Sequence, residues 1–107
     1  MKRAAVICTV LLTSALFSCS KGYRVRVSNF YYENLDSVIV GRPEHYFTDI
    51  KFGQTTSYQN ITSGDHSVRC VTDNGTSFYG TASLKKGGDG DFTIQIDGLK
   101  SIVVLQD

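Results

Sequence analysis

The chain has 107 residues, of which 41% are hydrophobic and 20% charged, a composition typical of one globular domain rather than of a disordered chain. Its formal net charge of +1 gives no electrostatic basis for binding nucleic acid. Three cysteines and two histidines are too few for a disulfide framework or a metal centre rich in these ligands. We therefore expect no nucleic-acid partner, no metal and no cofactor.

The amino terminus has the pattern of an export signal. Lys2 and Arg3 form a basic start, and the segment from Ala4 to Phe17 is uncharged. This run of about 14 residues suits a signal peptide and is shorter than the ~20 residues of a membrane-spanning helix. We predict a cleaved signal peptide over residues 1–18 and one domain over residues 23–107.

The end of this run is more specific. Leu16-Phe17-Ser18-Cys19 resembles the lipobox of bacterial lipoproteins, in which a leucine stands three residues before the cysteine and a small residue directly before it. The resemblance implies a diacylglyceryl group on the Cys19 sulfur and a lipidated tether over residues 19–22. Two acyl chains anchor a protein stably, whereas one is marginal. The alternative is an ordinary signal peptide that is cleaved nearby.

The residues after Cys19 bear on location. Ser20 stands where lipoproteins retained in the enterobacterial inner membrane carry an aspartate, so the resemblance favours the outer membrane. Surface-exported lipoproteins of Bacteroidetes-type bacteria tend to carry acidic residues just after the cysteine, and none is present here. We therefore expect a lipid-anchored protein that faces the periplasm rather than the cell surface. With Cys19 lipidated, Cys70 has no disulfide partner unless two chains pair, and it should pack as a small apolar residue.

Short alternating segments predict β-strands through the rest of the chain. At 23–28 apolar residues alternate with arginine and serine, and at 46–52 we expect Tyr46, Thr48, Ile50 and Phe52 to share one face. Asn74-Gly75 is a strong hairpin signal, because both turn positions need positive φ. The chain therefore predicts an all-β fold, a single antiparallel β-sandwich of seven to eight short strands. The predicted strands are 23–28, 35–40, 46–52, 55–61, 66–71, 77–85, 91–96 and 101–105.

The segment from Arg24 to Val71 resembles a family of uncharacterised bacterial envelope domains. The matching segments are Val25-Arg26-Val27-Ser28-Asn29, Asp36-Ser37-Val38, Phe52-Gly53-Gln54-Thr55-Thr56-Ser57-Tyr58 and Ser63-Gly64-Asp65-His66-Ser67-Val68. The resemblance implies an immunoglobulin-like or transthyretin-like sandwich and no established activity.

The sequence gives no arrangement that predicts catalysis. Asp65-His66-Ser67 contains the residue types of a hydrolase triad, but consecutive strand residues point to opposite faces. His66 and Cys70 would lie about 13 Å apart along one face, too far for a thiolate–imidazole pair. Asp89-Gly90-Asp91 lacks the further carboxylates of a calcium loop and is better explained as a solvated hairpin. We expect that the protein is not an enzyme.

Two segments remain as candidate sites. Phe30, Tyr31 and Tyr32 are expected either to form a contact patch for protein or glycan or to pack over one end of the sandwich. Asp36-Ser37-Val38 resembles the signal for O-glycosylation in Bacteroidetes-type bacteria, which would place a sugar on Ser37 only if that side chain faces out.

These features predict a non-enzymatic, membrane-anchored envelope lipoprotein that acts as a structural or protein-interaction module. The alternative is a cell-surface module that binds a carbohydrate or a host ligand through the tyrosine-rich loop. The expected partners are the membrane, through lipid on Cys19, and an envelope protein or glycan.

Overall fold

A computed structural model describes residues 22–107, so the predictions on the signal peptide and on Cys19 lie outside the described residues. This part of the chain has no helix with both the length and the hydropathy for a membrane span. It is all-β, with eight strands. These are β1 (Tyr23–Asn29), β2 (Leu35–Val40), β3 (His45–Ile50), β4 (Gln59–Ile61), β5 (Gly64–Thr72), β6 (Ser77–Leu84), β7 (Gly90–Ile96) and β8 (Ile102–Gln106).

The strands form two four-stranded sheets, with the orders β4-β1-β7-β8 and β3-β2-β5-β6. The prediction of a purely antiparallel sandwich is wrong at one pair, because β1 and β7 run parallel from Tyr23↔Gly90 to Asn29↔Ile96. Parallel neighbours need a long crossover connection. Here the whole second sheet lies within the chain between β1 and β7, so the chain re-enters the first sheet in its original direction.

One continuous core lies between the sheets. Val25 and Ile94 of the first sheet belong to the same buried cluster as Val38, Val68 and Ala82 of the second. β5 has the predicted alternation, since His66, Val68 and Cys70 are buried while Asp65 and Ser67 are exposed. A period of two along each strand thus supplies one apolar face to the core.

The predicted face of β3 is wrong. Phe47 and Ile50 are buried, whereas Tyr46, Thr48 and Phe52 are exposed. Between the two buried residues, Asp49 has a φ of 54°, a left-handed conformation that interrupts the alternation. A regular period of two cannot predict this irregularity, because it arises in a single residue.

The loops fall into two groups at opposite ends of the domain. β1 leads away from Gly22 over seven residues, a distance of about 20 Å at ~3.3 Å per residue. The register places the loops 30–34, 51–54, 73–76 and 97–101 at the end that β1 reaches. We call this the distal end. The turns 41–44, 62–63 and 85–89 lie at the Gly22 end.

Candidate contact surface at the distal end

A buried asparagine organises the distal end. Asn29 ends β1 and is only 1% exposed, yet its side chain is fully hydrogen-bonded. Oδ1 accepts from the Tyr31 backbone N–H at 2.8 Å, while Nδ2 donates to the carbonyls of Glu33 at 2.8 Å and Ile50 at 3.0 Å. One amide thus joins the 30–34 loop to the end of β3. Because its oxygen and nitrogen are hydrogen-bonded, burying the amide costs free energy only if these bonds are broken.

The Asn29 backbone also holds the 51–54 loop. Its N–H donates to the Gln54 carbonyl at 2.9 Å, and its carbonyl accepts from the Gly53 N–H at 2.7 Å. The preceding residue, Phe52, donates its backbone N–H to Asn34 Oδ1 at 3.1 Å. The exposed Phe52 therefore lies on a loop whose backbone is held by hydrogen bonds to Asn29 and to Asn34.

The predicted aromatic patch divides between core and surface. Tyr31 is buried, and its ring lies 5.4 Å from that of Phe78 and 4.5 Å from that of Tyr32. Phe30 is exposed, and Tyr32 is 69% exposed. Tyr31 thus packs over the end of the sandwich and supports the two neighbours that remain available for contact. Whether Phe30 and Tyr32 meet a partner stays a prediction.

The 97–101 turn adds a fourth exposed apolar side chain. The Phe30 N–H donates to the Ile96 carbonyl at 2.7 Å, which sets this turn beside the 30–34 loop. Asp97 Oδ1 accepts from the backbone N–H of Leu99 at 2.9 Å, and Leu99 is exposed. Phe30, Tyr32, Phe52 and Leu99 together are the distal surface.

Sequence reasoning missed two members of the distal surface. Phe52 was expected to share a face with Ile50 in a strand over 46–52, but β3 ends at Ile50, and Phe52 is exposed in the loop that follows. Leu99 directly follows Asp97-Gly98, a pair typical of turns, and a large apolar residue at such a position was the signal that could have revealed it.

The outer face of the second sheet carries another exposed aromatic pair. Tyr46, Ile39, Arg69 and Tyr79 stand in register across its four strands. Tyr79 is 69% exposed, and Tyr46 is exposed with its hydroxyl donating to Glu44 Oε1 at 2.7 Å. We call these four residues the tyrosine row. No sequence pattern places them together, because each comes from a different strand.

The arginines of the first sheet are paired on its outer face. Arg24 donates to both carboxylate oxygens of Asp91, at 2.8 and 2.6 Å, and this hydrogen-bonded pair lowers the pKa of Asp91. The Tyr58 ring lies 4.4 Å from Cζ of Arg24 and 4.8 Å from Cζ of Arg26, and its hydroxyl donates to Asp107. These guanidinium groups already have partners, which leaves little free charge for an anion.

The other chemical candidates are separated or occupied. His66 is buried, with Nε2 2.7 Å from the Thr62 carbonyl, and Ser67 is exposed on the opposite face. Burial raises the pKa of the Cys70 thiol to about 12, so it stays protonated at neutral pH. Within residues 22–107 no three His, Cys, Asp or Glu side chains are grouped as metal ligands.

Glycosylation of Ser37 stays a prediction, and its side chain lies on the same outer face of β2 as Ile39. Ser37 is only 8% exposed and stands in register between Thr48 and Val71 on the central strand β2. A sugar on its hydroxyl would have to project past the side chains of those neighbours. The Asp36-Ser37-Val38 pattern cannot reveal this, because the covering residues come from β3 and β5.

Comparison with known proteins shows the fold alone. No protein-family model matches the chain, and no curated protein matches it. Among solved structures, it is similar to the NMR structure of a protein from Eubacterium rectale, with a TM-score of 0.57 and 17% identity over 81% of this chain and 89% of that one. The likeness supports the all-β architecture and says nothing about activity.

Proposed function

We propose that this chain is a non-enzymatic envelope lipoprotein, tethered through Cys19 to the outer membrane and facing the periplasm, whose distal surface binds another envelope protein. We also take its two sheets to form an immunoglobulin-like or transthyretin-like sandwich. The observation that carries the proposed function is the group of four exposed apolar side chains on the loops farthest from Gly22. The lipobox resemblance supports the tether.

The orientation follows from the position of the tether. Residues 19–22 directly precede β1, so a lipid on Cys19 would bring the Gly22 end of the domain nearest the membrane. The distal surface would then lie about 20 Å farther out, at ~3.3 Å per residue of β1. A tethered domain in this orientation presents its exposed aromatic side chains to other envelope components.

The energetics favour a protein partner. Aromatic side chains are enriched at protein interfaces, and a few of them carry most of the binding energy. Asn29 and Asn34 hold the backbone of the loops that carry Phe30, Tyr32 and Phe52. Loops that are already ordered lose little further conformational entropy on binding, so more of the burial energy remains as affinity.

A pair of equally exposed tyrosines tests this surface. Tyr32 and Tyr79 are both 69% exposed, one on the distal surface and one in the tyrosine row. After crosslinking in intact cells and affinity purification, we expect Tyr32→Ser to reduce recovery of the partner by at least about tenfold, the effect of losing an interface hot spot. Tyr79→Ser should leave it unchanged. Equal recovery with both variants would show that the distal surface is not the interface.

The tether is tested separately by mass spectrometry of the membrane-extracted protein. We expect the mature chain to begin at Cys19 and to carry the mass of its acyl chains. Cys19→Ala should remove that mass, because no other residue is proposed to carry the acyl chains. An unacylated native protein would refute the tether and leave the distal-surface test intact.

The tyrosine row supports a second candidate, a cell-surface module that binds glycan. Exposed tyrosine rings stand at the two ends of a row whose middle is Ile39 and Arg69, and such rings offer apolar faces beside polar groups. This function predicts the reverse pattern, with glycan-array binding lost in Tyr79→Ser and retained in Tyr32→Ser. Complete protection from protease on whole cells would exclude it.

A further inference from the structure

The four edge strands of the described sheets differ in how well they resist pairing with another chain. An edge strand exposes unpaired N–H and C=O groups, and proteins usually blunt it with short length, charge, proline or a bulge. β4 has only three residues, and β3 is irregular at Asp49. β6 is interrupted at its centre by Gly80, a residue type that weakens strand pairing, and Ile102 of β8 packs against it.

β8 has none of these protections. Its sequence, Ile-Val-Val-Leu-Gln, contains no charge, proline or glycine. Its register with β7 is regular from Phe92↔Gln106 to Ile96↔Ile102, and its other side has no hydrogen-bonded neighbour within residues 22–107. Three β-branched residues give it a high propensity for pairing.

The flanking hydrogen bonds show which backbone groups are free. Asp107 N–H donates to the Asp91 carbonyl at 2.9 Å, and Asp97 N–H donates to the Ser101 carbonyl at 3.0 Å. In an antiparallel pair, alternate residues point their backbone groups toward the same neighbour. Residues 101, 103, 105 and 107 therefore face β7. Ile102, Val104 and Gln106 direct their N–H and C=O groups to the open side.

We propose that β8 pairs antiparallel with β8 of a second copy of this chain, about a two-fold axis at Val104. In this register Val104 faces Val104 of the second copy, and Ile102 faces its Gln106. The outward groups then form about six backbone hydrogen bonds. The sheet β4-β1-β7-β8 of one copy would then join the same sheet of the second copy to form one eight-stranded sheet.

The side chains favour a second copy over an unrelated strand. On the outer face, the register puts Val103 beside Leu105 of the second copy, and the symmetry repeats this contact on the other side of the axis. Each Leu105, 45% exposed in the single chain, would thereby be covered by Val103 of the other copy. No charged residue lies within the paired strands, so no like charges are opposed. An isologous contact of this kind uses both open edges and stops at two copies.

Two substitutions at the exposed Gln106 test the pairing in the full chain by sedimentation in detergent. Gln106→Pro removes an outward N–H and leaves the β7 ladder, as edge strands tolerate. We expect it to raise the dimer dissociation constant by at least about tenfold, since the symmetric dimer loses two hydrogen bonds. Gln106→Ala keeps the N–H and should leave the dimer unchanged. Unaltered circular dichroism would show that both variants are folded.

Cysteine crosslinking tests the register. When the Val103→Cys chain and the Leu105→Cys chain are co-expressed, oxidation should form a disulfide between them. The reason is that residues 103 and 105 of the two copies form a non-hydrogen-bonded pair, whose Cα atoms lie about 4.5 Å apart. Either variant alone should crosslink no more than the natural chain, since its two cysteines are diagonal at ~7–8 Å. A natural chain that stays monomeric at 100-fold increasing concentration, or a dimer unaffected by Gln106→Pro, would overturn the proposal. The distal-surface proposal is independent of this result.

Discussion

Replacing Asn29 by alanine measures how much one buried amide contributes to the distal end. The substitution removes three side-chain hydrogen bonds, to the Tyr31 N–H and to the carbonyls of Glu33 and Ile50. Two of these bonds are buried, and the bond to Glu33 is partly buried, so water can replace only part of the loss. Each buried group left unsatisfied costs about 1–3 kcal/mol. We expect a total loss of about 2–4 kcal/mol from a domain stability on the order of 5–15 kcal/mol.

The assay is urea unfolding of the purified protein, followed by circular dichroism. At about 4–8 °C per kcal/mol for a domain of this size, the melting temperature should also fall by roughly 8–32 °C. Asn34→Ala is the matched control at the same end. It removes one exposed hydrogen bond, to the Phe52 N–H at 3.1 Å, and should cost less than about 1 kcal/mol. Equal losses for the two variants would refute the assignment of Asn29 as the residue that joins these loops.

Three further outcomes follow from the same structure. Gly80→Ala should destabilise the domain by about 1–3 kcal/mol in urea unfolding, because its Cβ would lie 2.8 Å from Cβ of Ile102; a neutral effect would mean that the sheets separate there at no cost. The pKa of Asp107 is lowered, first by the hydrogen bond from Thr93, so this carboxylate stabilises the fold above its unfolded pKa of about 3.9 and the contribution is lost as pH falls further. Asp107→Asn should therefore flatten the decline in stability below about pH 5, and an unchanged pH profile would contradict this. Cys70, with its pKa raised to about 12 by burial, should react with iodoacetamide at pH 8 only after unfolding, as peptide mass mapping would show.

The strands were predictable because each carries its own signal. The predicted 77–85 segment corresponds to β6, with Phe78, Ala82 and Leu84 buried as the alternation requires. The Asn74-Gly75 turn joins β5 to β6 as expected, although only Gly75 has the positive φ that was expected at both positions. Such agreement is local, since a hairpin needs only a turn and two neighbouring strands.

The candidate site was predictable only in part. The sequence located an aromatic cluster at residues 30–32, but adjacent residues of a loop differ in burial for reasons outside the loop. Tyr31 is buried because Phe78 of β6 packs against it, while Tyr32 is left exposed. Ser37 is covered in the same way by residues from β3 and β5.

The sequence by itself determined that the described chain is all-β and where most of its strands and turns lie, because alternation and turn chemistry act within a few residues. Only the tertiary structure decided that β1 lies parallel to β7, that Asn29 joins the distal loops, and which edge strand is left open. These features depend on residues that are distant in the sequence and become neighbours only when the two sheets enclose their shared core.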